Sequence, residues 1–477
     1  LHLPKRQSTA PCFMHSEKLF RPFIRPMFNS HCGGIRLDEV SLMKRIGALL
    51  LCGILLLPAA GASGTPWPAW AAEALAWGRE KSVSRAFLAS PGQRLTRGAV
   101  ARLLYESAGQ PAAHEECPFS DVSEKDAAAV GWAAGQGYLT GVGDGTYEPG
   151  RPVTRQEFAA ILWRQAGTPE VPVQGLERFG DAGTVSEWAR DAVLWCQQAG
   201  VMAGRSGDKL APEDTITTAE ALVMLERAAG LPDVGQLRDD LEILAAHHRP
   251  VGSQGEADAV RYLRDRFEEM GYSVTLQPYT DGQGRTGHNV AAVKAASVPD
   301  ADILVLSAHH DSVPTAYGAN DNASGVAALL YTAEALRNVP TDTEVRFLSF
   351  TDEENGKNGS RTYTASLTEE ERTRIVGAIQ FDMLGGLGST GTLVCTVDGE
   401  ANWVSDLLQK KNPGLESGVE TASDHTSFQL SGIPAVLLMQ RGRGYLYHSA
   451  ADTAEQLDLY AIAAAADSAA AAAEETF

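Results

Sequence analysis

The sequence predicts two unlike parts: an all-α repeat domain on the N-terminal side, and an α/β domain with a mixed, largely parallel sheet flanked by helices. Three observations predict this. Between about residues 66 and 230, a Trp- and Ala-rich segment, a Gly/Asp/Pro loop and a Thr-initiated apolar run recur. From about residue 236, short apolar runs alternate with amphipathic stretches, as in strands and helices layered on one sheet. The polar residues suited to chemistry fall at the ends of those runs, where sites form in such sheets.

A chain of 477 residues exceeds one ordinary core. The net charge of −20, with no basic stretch to offset it, argues against a nucleic-acid partner. Met43-Lys44-Arg45, the apolar run Ile46 to Leu57 and Ala60-Gly61-Ala62 together predict a secretory signal over 43–62, too short for a membrane span. Residues 1–42 are expected to be a mis-assigned upstream extension. Beyond residue 62 the cysteines are Cys117, Cys196 and Cys395, too scattered for a disulfide framework or a thiolate metal site. They are expected to be small buried hydrophobes.

The repeats run over about 63–110, 117–168 and 177–230. Trp70-Ala71-Ala72-Glu73-Ala74-Leu75-Ala76-Trp77 aligns with Trp188-Ala189-Arg190-Asp191-Ala192-Val193-Leu194-Trp195, and Phe119-Ser120-Asp121 aligns with Phe179-Gly180-Asp181. Thr96, Thr154 and Thr217 each open a second helix, and Glu157 and Glu220 stand three residues after the latter two, the spacing of a capping box. One such unit cannot bury its apolar face, so three are expected to pack on one another.

These units resemble S-layer homology motifs, through Phe-x-Asp, the Trp/Ala helix, Gly141-Val142-Gly143-Asp144-Gly145-Thr146-Tyr147-Glu148-Pro149 and Thr-Arg-x-Glu. The resemblance implies a pseudo-threefold unit that docks on an acidic secondary polymer of the bacterial cell wall, with Arg97 and Arg155 pairing with its anionic substituents. It implies a secreted protein bound to the cell wall or S-layer. Ala99 and Thr218 depart from the motif, so at most two of three grooves keep the Arg. Alternatively, these Arg side chains serve neighbouring loop carboxylates or carbonyls. Residues 231–235 are expected to be a linker to the domain at 236–477.

In that domain, Asp239 to Ala246 and Gly255 to Met270 read as helices. Ser273 to Gln277, Asn289 to Val293, Ile303 to Ser307, Val345 to Phe350, Ile375 to Phe381, Leu393 to Val397 and Ala435 to Met439 read as strands. His309 and Asp311 end one strand two positions apart, which puts both side chains on one side of an extended segment. Asp311 can then orient the imidazole and raise its basicity as a ligand. Asp321 precedes the helix that begins near Ala323, where a carboxylate can span two metals. Glu353 and Glu354 follow the next strand and point different ways, so one can bind metal while the other handles a proton. Asp382 and His448 add a carboxylate and an imidazole. A structural polar network is the alternative, but so many ionisable groups at successive strand ends would be a costly way to satisfy a core.

From about Leu237 onward the chain resembles metallopeptidase family twenty-eight, the co-catalytic zinc aminopeptidases. The resemblance rests on His-x-Asp-Ser, Gly-Ala-x-Asp-Asn-Ala-Ser-Gly, Glu-Glu-x-Gly-x-x-Gly-Ser, Asp-Met-x-Gly, Ser-Asp-His and the late Tyr-His. It implies two Zn2+: one on His309 and Asp382, the other on Glu354 and His448, with Asp321 bridging. It implies Glu353 as general base and Asp311 as support for His309, in hydrolysis of N-terminal residues from peptides. His310, Asp424 and His425 are expected to be supporting groups or pocket walls. Glu420 stands where some relatives place an oxyanion-stabilising Tyr; Tyr445 and Tyr447 are candidates to replace it. Three alternatives remain at this point. They are a two-zinc carboxypeptidase or deacylase, for whose dimerisation domain the chain has no room, a single-zinc glutaminyl-cyclase-like enzyme, and a wall-binding protein with an inactive hydrolase domain.

Overall fold

In the computed structural model, which describes residues 66–112, 116–169, 171, 175–205, 208–386, 389, 391–442, 444 and 446–477, the repeats become three helix pairs. The extension at 1–42, the signal at 43–62 and Tyr445 lie outside the described residues. The repeat helices are α1 (Ala72–Glu80), α2 (Arg97–Ser107), α3 (Glu124–Gly135), α4 (Arg155–Gln165), α5 (Arg190–Gln198) and α6 (Thr218–Ala229). Thr96, Thr154 and Thr217 cap α2, α4 and α6, the last two in full capping boxes with Glu157 and Glu220.

The residues just ahead of those caps close a ring. Val153 N–H donates to Leu95 O, Ile216 N–H to Val153 O, and Leu95 N–H to Ile216 O, each at 3.0 Å. All three side chains are buried. The helices follow the same cycle: α2 packs on α3, α4 on α5, and α6 returns onto α1. The Phe-x-Asp motif explains the loops. Asp121 accepts the N–H groups of Tyr147 and Glu148, both at 2.7 Å, and Asp181 accepts those of Leu210 and Ala211, both at 2.8 Å. Phe158, Leu104, Trp195 and Leu222 share one core, which no single repeat could enclose.

Leu231 packs on that core and Val234 on the next, so the segment between them is anchored at both ends. The α/β domain then runs α7 (Gly235–Leu244), α8 (Gln254–Glu269), β1 (Ser273–Thr280), β2 (Thr286–Lys294), β3 (Ile303–His309), α9 (Ser324–Leu336), β4 (Glu344–Phe350) and α10 (Asn358–Ser366). It continues with β5 (Ile375–Phe381), β6 (Thr392–Thr396), α11 (Trp403–Lys411), β7 (Glu416–Val419), β8 (Ala435–Gln440) and α12 (Leu459–Glu475).

The eight strands form one sheet in the order β1-β2-β4-β3-β5-β8-β6-β7. β4, β3, β5 and β8 are mutually parallel at its centre, while β1–β2, β2–β4 and β6–β8 are antiparallel. Every residue of β3 is buried, as a strand covered by helices on both faces requires. α9 and α12 cover one face; Tyr363, Leu367 and Phe428 pack on the other. β7 escaped the sequence reading because its four residues are short, Gly-containing and largely exposed. Cys196 and Cys395 are buried as expected and Cys117 half-buried, all unpaired. No helix among the described residues is long and apolar enough to cross a membrane.

Candidate metal centre

The C-terminal ends of the parallel strands converge on one cluster. His309 is the last residue of β3, Glu353 and Glu354 follow β4, Asp382 follows β5, and His448 lies in the loop after β8. Asp321 sits between Gly318 and α9. Its two oxygens face opposite ways: Oδ1 lies 3.3 Å from His309 Nε2, and Oδ2 lies 3.1 Å from His448 Nε2. Asp382 Oδ1 is 3.5 Å from His309 Nε2, and Glu354 Oε2 is 3.1 Å from His448 Nε2. The cluster is therefore two three-residue groups sharing Asp321: His309, Asp321 and Asp382, and Asp321, Glu354 and His448.

Polar residues of the loops lash these groups in place. Asn322 donates from Nδ2 to Phe381 O at 2.9 Å and accepts Met383 N–H at 3.2 Å, gripping Asp382 from both sides in sequence. Asn320 Nδ2 donates to Leu384 O at 2.9 Å, and Ser324 Oγ accepts Leu384 N–H at the same distance. Gly325 permits this, because a Cβ there would stand 2.3 Å from Asn322 Oδ1 and 2.5 Å from Phe381 O. Gly318 has φ 64°, and a Cβ there would meet Asp321 O at 2.3 Å. Asp352, Met383 and His448 also hold positive φ values of 56°, 56° and 55°, which cost a non-Gly residue energy and cluster here around the site.

Asp311 does more than face His309, whose Nδ1 lies 3.4 Å from its Oδ1. Its two oxygens also accept the N–H groups of Glu353 at 3.0 Å and Glu354 at 3.2 Å, fixing the backbone that carries both. Ser423 Oγ donates to Asp382 Oδ2 at 2.6 Å, leaving Oδ1 toward His309.

Two residues absent from the sequence expectations also organise the site. Buried Asp452 accepts the N–H groups of Asn320 at 2.7 Å and Asp321 at 3.2 Å. Buried Arg249 donates to His310 O at 2.7 Å, Tyr317 O at 2.7 Å and Gly318 O at 2.8 Å, holding the loop that leads to Asp321. Sequence offered a weak signal for either: an Asp four residues after His448, and an Arg in a loop ahead of α8.

His310 bonds Ser349 Oγ at 2.9 Å and lies 3.8 Å from Glu256, away from the two groups. His425 Nε2 contacts Glu420 O at 2.8 Å, and buried Asp424 accepts from Gln380 at 3.4 Å. Tyr447 stacks on His448 with ring centroids 3.7 Å apart. A small open cleft lies over the cluster, with Asp321, Glu353, Asp382, Glu420 and Tyr447 in its walls.

The electrostatics are those of crowded acids beside imidazoles. Burial opposes charge on His309, yet Asp382, Asp311 and Asp321 hold its pKa well above the ordinary value. Burial and Asp321 push Glu354 up to about 8. Burial above all pushes Glu353 well above the usual carboxylate range, with Asp424 and Asp382 adding to it. Burial would raise Asp321 too, but His309 and His448 pull it down. Such a cluster demands positive charge in its midst, as protons or as a cation. His309 Nε2, His448 Nε2, Glu354 Oε1 and Asp382 Oδ1 are all buried without hydrogen-bond partners. Nitrogen and oxygen donors so placed fit a zinc-type cation.

In the repeats, Arg97 donates from Nε to Tyr147 O at 2.7 Å and lies over the Tyr147 ring, 4.4 Å from its centroid. Arg155 is buried and donates to Leu210 O at 3.0 Å, Ala203 O at 3.1 Å and Glu220 Oε1 at 2.9 Å. Each Arg lines a groove. Trp188 and Arg151 share that of Arg97, and Trp70 and Arg205 that of Arg155. Arg151 pairs with Glu157 and Arg205 with Glu220. The sequence reading named Trp70 and Trp188 only as aligned repeat residues and did not single out Arg151 or Arg205.

Residues 289–473 match Peptidase family M28, and residues 118–159 and 178–222 match the S-layer homology domain. Aminopeptidase YwaD of Bacillus subtilis (strain 168) is 35% identical over 169 residues, covering 34% of this chain and 36% of that protein. Leupeptin-inactivating enzyme 1 of Streptomyces exfoliatus is 32% identical over 209 residues, covering 41% of this chain and 45% of that protein. The chain thus spans less than half the length of these curated relatives. Among solved structures, an aminopeptidase from Aneurinibacillus sp. strain AM-1 superposes with TM-score 0.49 at 25% identity, covering 51% of this chain and 94% of that one. Residues 289–473 thus carry the likeness to Peptidase family M28, and the matches to the S-layer homology domain lie ahead of them.

Proposed function

We propose that the protein is a secreted, wall-anchored aminopeptidase that holds two zinc ions and uses Glu353 as general base. The observation that carries this reading is the pair of three-residue groups sharing Asp321, roofed by a cleft that Glu353 also lines. Names of relatives over the matched segment support the reaction class. In this reading His309 and Asp382 hold one zinc, Glu354 and His448 the other, and Asp321 both. A zinc pair bound there supplies Lewis acidity toward the scissile carbonyl and makes an attacking water more acidic.

The chain's own residues do the rest. Asp311 fixes the Glu353 backbone, so the carboxylate is aimed into the cleft. Burial raises its proton affinity toward that of a useful base. Glu353 takes a proton from water as its oxygen adds to the carbonyl carbon. It returns that proton to the leaving amine as the C–N bond breaks, giving a free amino acid and a peptide one residue shorter.

The matches to the S-layer homology domain support association with the cell surface or S-layer. We propose docking of an anionic wall polymer in the grooves of Arg97 and Arg155. Because each nitrogen of buried Arg155 already donates to an intramolecular acceptor, its contribution is mainly to shape the groove. Trp70 and Trp188, 60% and 58% exposed, present flat faces for sugar rings.

The test is hydrolysis of aminoacyl anilides by the native protein, the Glu353→Gln protein and the chelator-treated protein, with bound metal counted by elemental analysis. The expectation is two zinc per chain and a loss of roughly 10²–10⁴-fold in kcat for Glu353→Gln at unchanged metal content. Equal rates in all three samples would sink the reading. Co-sedimentation with purified walls tests anchoring, and binding that survives loss of Trp70, Trp188, Arg97 and Arg155 together removes the proposed grooves.

A further inference from the structure

Beside the catalytic cleft lies a second, open recess lined by Lys357, Arg361 and Arg372, with Ala365 and Leu430 also in its walls. The neighbouring cations Arg346 and Arg374 are consumed by Glu344 and Glu371. Among the described residues, no carboxylate lies within ion-pair distance of Lys357, Arg361 or Arg372. Three cations without counter-charges around one hollow are notable in a chain of net charge −20. Two of them are held in position. Lys357 Nζ donates to Thr421 O at 3.5 Å, and Arg372 Nη2 donates to Thr364 O at 3.2 Å. Arg361 is exposed at the rim.

Two segments of the chain contribute to both the site and the recess. Lys357 closes the turn that starts at Glu353, its N–H donating to Glu353 O at 2.7 Å. The segment from Glu420 to Ser427 gives Glu420, Ala422 and Ser423 to the catalytic cleft and Thr426 and Ser427 to the recess.

We infer that this recess is an anion subsite that takes the C-terminal carboxylate of a short peptide whose N-terminal residue occupies the catalytic cleft. The inference rests on the aminopeptidase reading above. Lys357, Arg361 and Arg372 supply charge-assisted donors to the carboxylate, and Leu430, 77% exposed, offers its side chain to an apolar last residue. The enzyme would then trim short peptides with free acid ends in preference to long or blocked chains.

The experiment compares kcat/KM for tripeptides and tetrapeptides as free acids and as C-terminal amides, with an aminoacyl anilide as a substrate too short to reach the recess. The expected result is a preference for acids of roughly fivefold, the size of one or two partly exposed ion pairs, shrinking as salt is raised. Arg361→Gln with Arg372→Gln abolishes the preference, Arg361→Glu inverts it, and anilide hydrolysis is unchanged in all of them. Inorganic phosphate tests whether the recess holds free anions as well. Inhibition of the acid substrates alone supports the subsite, whereas equal inhibition of the anilide locates the anion at the metal ligands and overturns it. Equal rates for acids and amides in the native protein also overturn it while leaving the aminopeptidase reading intact. Failure to cleave the anilide at all overturns that reading, and the subsite with it.

Discussion

Replacing Asp452 by Asn changes one atom of a residue that touches no proposed ligand side chain, yet it acts on the centre of the site. The Asp452 carboxylate accepts the N–H groups of Asn320 at 2.7 Å and Asp321 at 3.2 Å, within a buried environment that raises its pKa. An Asn retains one acceptor and turns an N–H2 toward the other N–H. A hydrogen bond to a charged acceptor is worth about 1.5–3 kcal/mol, and the stranded buried N–H adds a further penalty. The expected loss is about 3 kcal/mol, or roughly 6–12 °C in Tm for a domain of this size. The Asp321 backbone also sets the direction of both its oxygens, so zinc affinity is expected to fall about 10–100-fold, as for other groups that orient ligands. Scanning calorimetry with and without added zinc, together with competition against a chromogenic chelator, reads the two effects separately. A lower Tm at unchanged zinc affinity would make Asp452 a loop fastener and refute its role in aiming Asp321. If neither quantity moves, the hydrogen bonds themselves carry no weight.

Arg249→Lys replaces a fork that reaches five carbonyls, those of Leu244, His247, His310, Tyr317 and Gly318, with a single ammonium. Burial already pulls the Arg249 pKa down to about 10, against the opposing pull of Asp311 and Asp452. The variant is expected to lose roughly 3–5 kcal/mol in urea unfolding, as when a buried charge is stripped of partners. Glu256 accepts Gly252 N–H at 2.6 Å and faces His310; burial opposes its ionisation, but these partners hold its folded pKa below the ordinary value. Its contribution is therefore complete above an unfolded pKa of about 4.3 and is lost as pH falls through the lower folded value. Urea midpoints measured from pH 6 down to pH 3 are expected to fall less steeply in Glu256→Gln than in the native protein, and parallel curves would contradict the assignment.

Chemistry that local pattern encodes can be read along the chain. Thr154 and Glu157 specify a capping box within one turn of chain, and a buried central strand announces itself as the apolar run Ile303 to Leu306. His309, Asp321, Glu353, Glu354, Asp382 and His448 were legible because ionisable residues at strand ends are unusual and their order along the chain is distinctive. Sequence also showed three repeats, but not that Leu95, Val153 and Ile216 exchange backbone bonds in a closed ring. It could not decide which atoms meet. That Asp321 turns one oxygen to each imidazole, that Asp311 grips the backbone of both glutamates, and that Asp452 and Arg249 hold the loop are consequences of strands β3, β4, β5 and β8 ending side by side. The same is true of Arg155, legible as a motif residue yet enclosed by carbonyls from a repeat some fifty positions later. Covalent neighbours set propensities and caps. The approach of residues distant in the chain depends on how the two cores close, and only the folded chain fixes that.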